Sequence, residues 1–188
     1  MASKRVRLAT VTVALGVVAS GALATTVATA GDGSFRIKSR LSGFQEDPRP
    51  VSTNGWGEIA LNVNRDRNKI TYRLKYADLE GDVLQAHIHF GGRAQSGGIS
   101  AFLCSNLGNG PAGTPACPAP SGVVKGTINA DDVIGPAGNG ANGGTGQGIE
   151  PGEFDELVDA IRAQTTYANV RSSLFPGGEI RSQLHYKG

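Results

Sequence analysis

The chain has 188 residues, with 18 basic, 16 acidic and three histidine side chains, a formal charge of +2. Three of its cations, Lys4, Arg5 and Arg7, sit at the extreme N-terminus, so fifteen basic residues face sixteen acidic ones in the rest. No basic run or basic–aromatic interleaving is left there, which argues against nucleic acid as a partner, and the length suits one domain with a real core.

The first 30 residues read as a leader. The cations precede a soft apolar run, Leu8 to Ala24, and a small-x-small site at Ala28-Thr29-Ala30. That order is a secretory signal peptide, cleaved after about Ala30. An uncleaved anchor is the rival reading, because the run is long enough to cross a bilayer. The expected product is a mature domain, residues 31–188, soluble outside the cytoplasm. Nothing later in the chain is apolar enough to span a membrane.

Strand signals then dominate. "SFRIKSRLSGF" (34–44) alternates in part. "GWGEIALNVN" (55–64) sets Trp56 and the alternating Ile59, Leu61 and Val63 along an extended segment. "NKITYRLKYADL" puts Ile70, Tyr72, Leu74 and Tyr76 on one face and Thr71, Arg73 and Lys75 on the other. "VLQAHIHF", "ISAFLC", "SGVVKGTI", "TTYANVRSSL" and "GGEIRSQLHYK" continue the pattern, the last two joined through the turn signal "FPGG". One helix is predicted over Pro151–Gln164, with Phe154, Leu157, Val158 and Ile161 as its apolar stripe, and "NADDVI" starts a shorter helical turn. The fold class that follows is all-β: an antiparallel β-sandwich or barrel with one inserted amphipathic helix.

Cys104 and Cys117, the only cysteines, bracket a Gly/Pro loop. In an exported chain they read as a structural disulfide, because their spacing is far from C-x-x-C. The segment from Gly135 to Gly148 is half glycine and contains a literal G-x-G-x-x-G at Gly138, Gly140 and Gly143. It lies in low-complexity sequence and reads as a flexible loop, not as a dinucleotide site. "AQSGG" around Ser96 lacks the first glycine of a nucleophile elbow.

Chemistry concentrates in "QAHIHFGG". Residues two apart on a strand share a face, so His87 and His89 point the same way with Gln85, and Leu84, Ala86, Ile88 and Phe90 face the core. Both imidazoles fall on the polar side, which argues against a buried pair. The closing strand similarly groups Glu179, Arg181, Gln183 and His185, and "TTYANVRSSL" groups Tyr167, Asn169, Arg171 and Ser173. Adjacent pairing of these three strands would assemble one patch from His87, His89, Arg171, Glu179 and Arg181, with His185 at its margin.

These motifs, taken together, resemble the CHRD domain, named for chordin and found in secreted bacterial proteins. "LSGFQEDPRPVSTNGWGEIALNVN" is similar to its opening, "LQAHIHFGG" to its A-H-I-H-x-G signature, and "YANVRSSLFPGGEIRSQL" to its close, across about 41–184. The resemblance implies an immunoglobulin-like or barrel-like fold, of the Greek-key kind that superoxide dismutase also has, and implies little about activity. It carries over Gln45, Glu46, His87, His89, Gly177, Glu179, Ile180 and Arg181. Arg171 stands where the family usually has a histidine, which removes a metal donor. The likeness of H-x-H to copper,zinc superoxide dismutase is superficial, since that chemistry needs more than the three histidines here.

Two functional readings follow. The favoured one is a secreted, non-enzymatic binding or structural module. Its ligand-binding face is His87, His89, Arg171, Glu179 and Arg181, its cofactor none, and its partner an extracellular protein, carbohydrate or cell-wall ligand, with Trp56 as a stacking surface. The rival is a copper or zinc protein or metalloenzyme using His87, His89, His185 and Glu179. No catalytic residue is assigned.

Overall fold

Period-two alternation builds eight strands in the structure, a computed structural model that describes residues 33–135 and 146–186. Residues 1–32, which include the segment read as a leader, and most of the Gly-rich segment lie outside the described residues. The strands are β1 (Phe35–Ser42), β2 (Trp56–Val63), β3 (Ile70–Ala77), β4 (Val83–Phe90), β5 (Gly98–Ser105), β6 (Gly122–Ile128), β7 (Thr166–Ser172) and β8 (Ile180–Gln183). They pair antiparallel in one sheet, in the order β5-β4-β7-β8-β1-β2-β3-β6, which curls into a nearly closed barrel. The expected all-β antiparallel fold is therefore what forms, as a barrel.

Inward-facing residues fill the barrel: Ile59, Leu61 and Val63 from β2, Ile70, Leu74 and Tyr76 from β3, and Ala86 and Ile88 from β4 are all buried. Each fully buried Leu or Ile stabilises the fold by roughly 1.5–3 kcal/mol. Leu84 and Phe90, expected to face the core, are only partly buried, because they stand at the two ends of β4.

The two edge strands meet at a seam. The Tyr72 hydroxyl on β3 donates to the Leu103 carbonyl of β5 at 2.7 Å. It passes over Gly126 of β6, where an added Cβ would lie 2.3 Å from that hydroxyl oxygen. A bridge between Ala101 and Val133 closes the seam further. The expected disulfide is present between Cys104 and Cys117, with Cα atoms 5.0 Å apart, and it ties the β5–β6 loop to the end of β5.

Helix α1 (Phe154–Arg162) buries Phe154, Leu157, Val158 and Ile161, the predicted stripe. It starts later than the sequence implies, because Gly152 takes φ +89 and turns the chain first. The "NADDVI" turn is a 3-10 turn over Ala130–Asp132, with Asn129 and Asp132 forming a reciprocal capping box. Among the described residues no helix is long and apolar enough to cross a membrane.

Candidate functional site

Strands β4, β7 and β8 are neighbours, and their register sets the polar side chains in rows. His87 pairs with Asn169, which pairs with Arg181; His89 pairs with Tyr167, which pairs with Gln183; Gln85 pairs with Arg171. Ala86, Ile88, Ala168 and Val170 point into the barrel, so these rows lie on its outer side.

That outer side is not open to solvent. His87 and His89 are 0% and 1% exposed, which corrects the expectation that their polar face leaves them unburied. Two features cover them. The first is a pair of bulges in β5: His87 pairs with Phe102 and His89 with Ile99, with shifts after Ala86 and Ile88. They turn Phe102 outward, with its ring 4.5 Å from that of His87.

The second cover is the β4–β5 loop, residues 91–97, which folds back across the strands. Arg181 holds it: the guanidinium donates to the carbonyls of Gly92 at 2.9 Å and Gln95 at 3.1 Å and stacks 3.5 Å over the Tyr167 ring. Gln183 adds a bond to the Gly91 carbonyl at 3.0 Å. Gly97 closes the loop so tightly that a Cβ there would lie 1.7 Å from the Phe90 carbonyl oxygen. The final glycines of "QAHIHFGG" serve the same closure, since a Cβ on Gly91 would meet Tyr167.

His89 is held within this layer. Its Nδ1–H donates to the Gly97 carbonyl at 2.9 Å, Nε2 lies 3.1 Å from the Asn169 amide oxygen, and its ring stacks on Tyr167. Burial pushes its pKa down to about 3, opposed by the Gly97 hydrogen bond. Neither ring nitrogen of His87 has a partner among the described residues, and burial, then His89 and Arg171, hold it well below the usual histidine range. Both imidazoles are neutral near pH 7.

Glu46, from the loop after β1, is 8% exposed and packs its carboxylate against Gly178, whose φ is +150. A Cβ at 178 would lie 2.5 Å from both carboxylate oxygens and displace that side chain, and the φ of +150 strains any L residue there. Burial pushes the Glu46 pKa up to about 7, while Arg181 and Arg171 pull it down.

Arg171 differs from the rest. It is half-buried, its Nε is buried without a hydrogen-bond partner, and its guanidinium makes no hydrogen bond or ion pair with the described residues. Burial lowers its pKa. It lines a groove of about 770 Å³ with Gln85, Phe102, Asn109, Ile99, Val133 and Asp131.

The other expected face residues lie apart from this groove. Arg181 is 2% exposed and committed to the loop. Glu179 is fully buried, where its Oε1 accepts from the Thr53 hydroxyl and the Glu80 N–H, both at 2.7 Å, pinning two loops. His185 contacts Arg93 and Gln164 at the exposed end of the last segment. Among the described residues no three His, Cys, Asp or Glu side chains are grouped to hold a metal. The set His87, His89, His185 and Glu179 is therefore corrected: alternation places these residues on one side of their strands, but burial and distant partners keep them from converging.

Sequence reasoning missed Phe102, hidden by the two bulges, and the packing role of Glu46, whose only signal was its place in the family pattern. A family model of the CHRD domain matches residues 37–184. The chain belongs to the CHRD family. The match takes in every strand from β1 to β8 apart from the first two residues of β1. No curated protein and no solved structure matches the chain. In this CHRD domain the H-x-H strand is the floor of a buried polar layer, and Arg171 is the charged part of that layer that reaches a groove.

Proposed function

We propose that this CHRD-domain protein is an extracellular, non-enzymatic binding module whose groove beside Arg171 takes a carboxylate-bearing ligand. The observation that carries the reading is the guanidinium of Arg171, half-buried at one wall of the groove with no hydrogen bond or ion pair to the described residues, although Glu46 is within electrostatic reach. A cation removed in part from water gains most from a planar, bidentate anion. Ile99, Phe102, Val133 and Ile134 offer an apolar wall for the ligand's body, and Gln85 and Asn109 add amide groups. Apart from Gln85, the rest of the polar layer does not itself meet the ligand. The reading assigns no cofactor.

The extracellular setting is supported by the signal-like order of residues 1–30 and by the Cys104–Cys117 bridge, which persists in oxidising compartments. The test is saturation-transfer NMR with matched pairs of aromatic acids and their primary amides. The acids are expected to bind in preference to the amides, with the preference lost in Arg171→Gln. Equal binding of acid and amide, or an Arg171→Gln protein that keeps the preference, refutes the assignment.

A further inference from the structure

The charges of this nearly neutral domain are not evenly spread. On β1, "RIKSR" alternates so that Arg36, Lys38 and Arg40 all point away from the barrel interior, while Phe35, Ile37 and Leu41 point in. The register carries this face across the next three strands. Lys38 pairs with Ala60, Ala60 with Arg73 and Arg73 with Lys125. One turn of the pleat away, Arg40 pairs with Glu58 and Glu58 with Lys75. Glu58 is the only carboxylate in these two rows.

The charges in the first row are free. Lys38, Arg73 and Lys125 are exposed and form no hydrogen bond or ion pair with the described residues. Strands lie about 4.8 Å apart, so these cations form a line across the sheet with a gap at Ala60. The gap opens a cleft of about 400 Å³ between Lys38, Arg40, Glu58 and Arg73. In the second row the Lys75 ammonium lies 4.7 Å from the centre of the half-exposed Trp56 ring, which adds an aromatic surface.

We infer that the outer face of β1-β2-β3-β6 is a docking surface for an acidic polysaccharide, independent of the Arg171 groove. Charge complementarity selects an extended polyanion. Duplex DNA carries a charge every ~1.7 Å along its axis, far denser than three free cations set strand by strand across a sheet. A polysaccharide with a carboxylate or sulfate on every sugar or two fits that line. Its hydroxyls find an acceptor in Glu58, its ring faces a platform in Trp56, and one sugar fills the cleft at Ala60. A membrane fits less well. Of the four large apolar side chains exposed to solvent, only Val123, on β6 opposite Lys75, lies on this face, and at 38% it is the least exposed of them; Phe44, Leu107 and Leu174 lie outside its strands.

The test uses the whole protein with polygalacturonate as probe and neutral dextran as control, by isothermal titration at two salt concentrations. Three proteins are compared after their melting curves establish that each is folded: wild type, Lys38→Gln/Arg73→Gln/Lys125→Gln, and Arg49→Gln/Lys69→Gln/Arg93→Gln, which removes equal charge outside the two rows. Wild type is expected to bind polygalacturonate and not dextran, and more weakly as salt rises. The strand-face triple is expected to bind about tenfold more weakly or worse, and the control triple as wild type. Ala60→Glu, which fills the gap with a carboxylate and keeps all three cations, is expected to weaken binding as well. Equal loss in both triples, or no binding by wild type, overturns the inference. So does tighter binding to duplex DNA or phosphatidylglycerol vesicles through the same three residues.

Discussion

Glu46 and the two histidines of "QAHIHFGG" set opposing pH dependences in one buried layer. Glu46 has its pKa pushed up to about 7 from the ordinary 4.5. Below about pH 4.5 it is neutral folded and unfolded; above that the unfolded chain ionises first, so stability falls as pH rises towards about 7. The histidines act in reverse. With His89 pushed down to about 3 and His87 well below 6.5, the unfolded chain takes up protons first as pH falls below 6.5, and stability falls towards acid. Glu46→Gln is therefore expected to raise stability at pH 8 by about 1–3 kcal/mol more than at pH 4, measured by denaturant unfolding at both pH values. His87→Leu removes an imidazole whose nitrogens have no partner. It is expected to stabilise by about 1 kcal/mol or more, with a larger gain at pH 5 than at pH 8. A destabilised His87→Leu protein would show that His87 has an essential hydrogen-bonding role.

At the scale of elements, the seam between β5 and β6 is the weak point of the barrel, fastened by the Tyr72 hydrogen bond, the Ala101–Val133 bridge and the Cys104–Cys117 disulfide. Tyr72→Phe leaves the Leu103 carbonyl without its partner and is expected to cost about 1–3 kcal/mol. Gly126→Ala drives a methyl group into the Tyr72 hydroxyl and should destabilise the fold by a similar route. Replacing both Cys104 and Cys117 with Ala should cost roughly 3 kcal/mol, as loop closure predicts. Chemical denaturation of the three variants checks the order. An unchanged Tyr72→Phe midpoint would mean that the hydroxyl does not fasten the seam.

β2 and β3 were the most legible strands because they alternate throughout their eight residues: β3 exposes Arg73 and buries Leu74 as its pattern requires. The shared outer side of β4, β7 and β8 was legible for the same reason. Its burial was not. Alternation reports which side of a sheet a residue takes, and it says nothing about a loop folding over that side. The glycines at 91 and 97 let the loop lie so close, and Arg181 holds it through backbone carbonyls, a bond that leaves no residue-type signal at the acceptor. The β5 bulges broke the period at Ser100 and Leu103, so Phe102 could not be assigned to the His87 side. The basic face went unnoticed because its members come from separate strands, each with too few cations to form a run.

For the whole molecule, the barrel presents two distinct outer regions. Over β4-β7-β8 most polar side chains are sealed under a loop, and the layer reaches a groove through Arg171 and Gln85. Over β1-β2-β3-β6 the polar side chains are charged, mostly basic and uncovered. The first region has the partly dehydrated setting in which a single ion pair is strong, and the second has the open setting in which several weak ones must add. A small carboxylate and a long polyanion are the ligands these two settings favour. Binding at the groove should therefore resist salt better than binding at the basic face.

The most direct measurement for the central claim is the NMR signal of the Arg171 Nε–H group in protein with ¹⁵N-labelled arginine, titrated with phenylacetate and with phenylacetamide. The account predicts a saturable shift of that signal with the acid and little or none with the amide, while the Arg181 Nε–H signal stays in place under its loop. A signal that is indifferent to both, or that moves equally with both, would contradict the assignment of Arg171 as the anion-binding group of this domain.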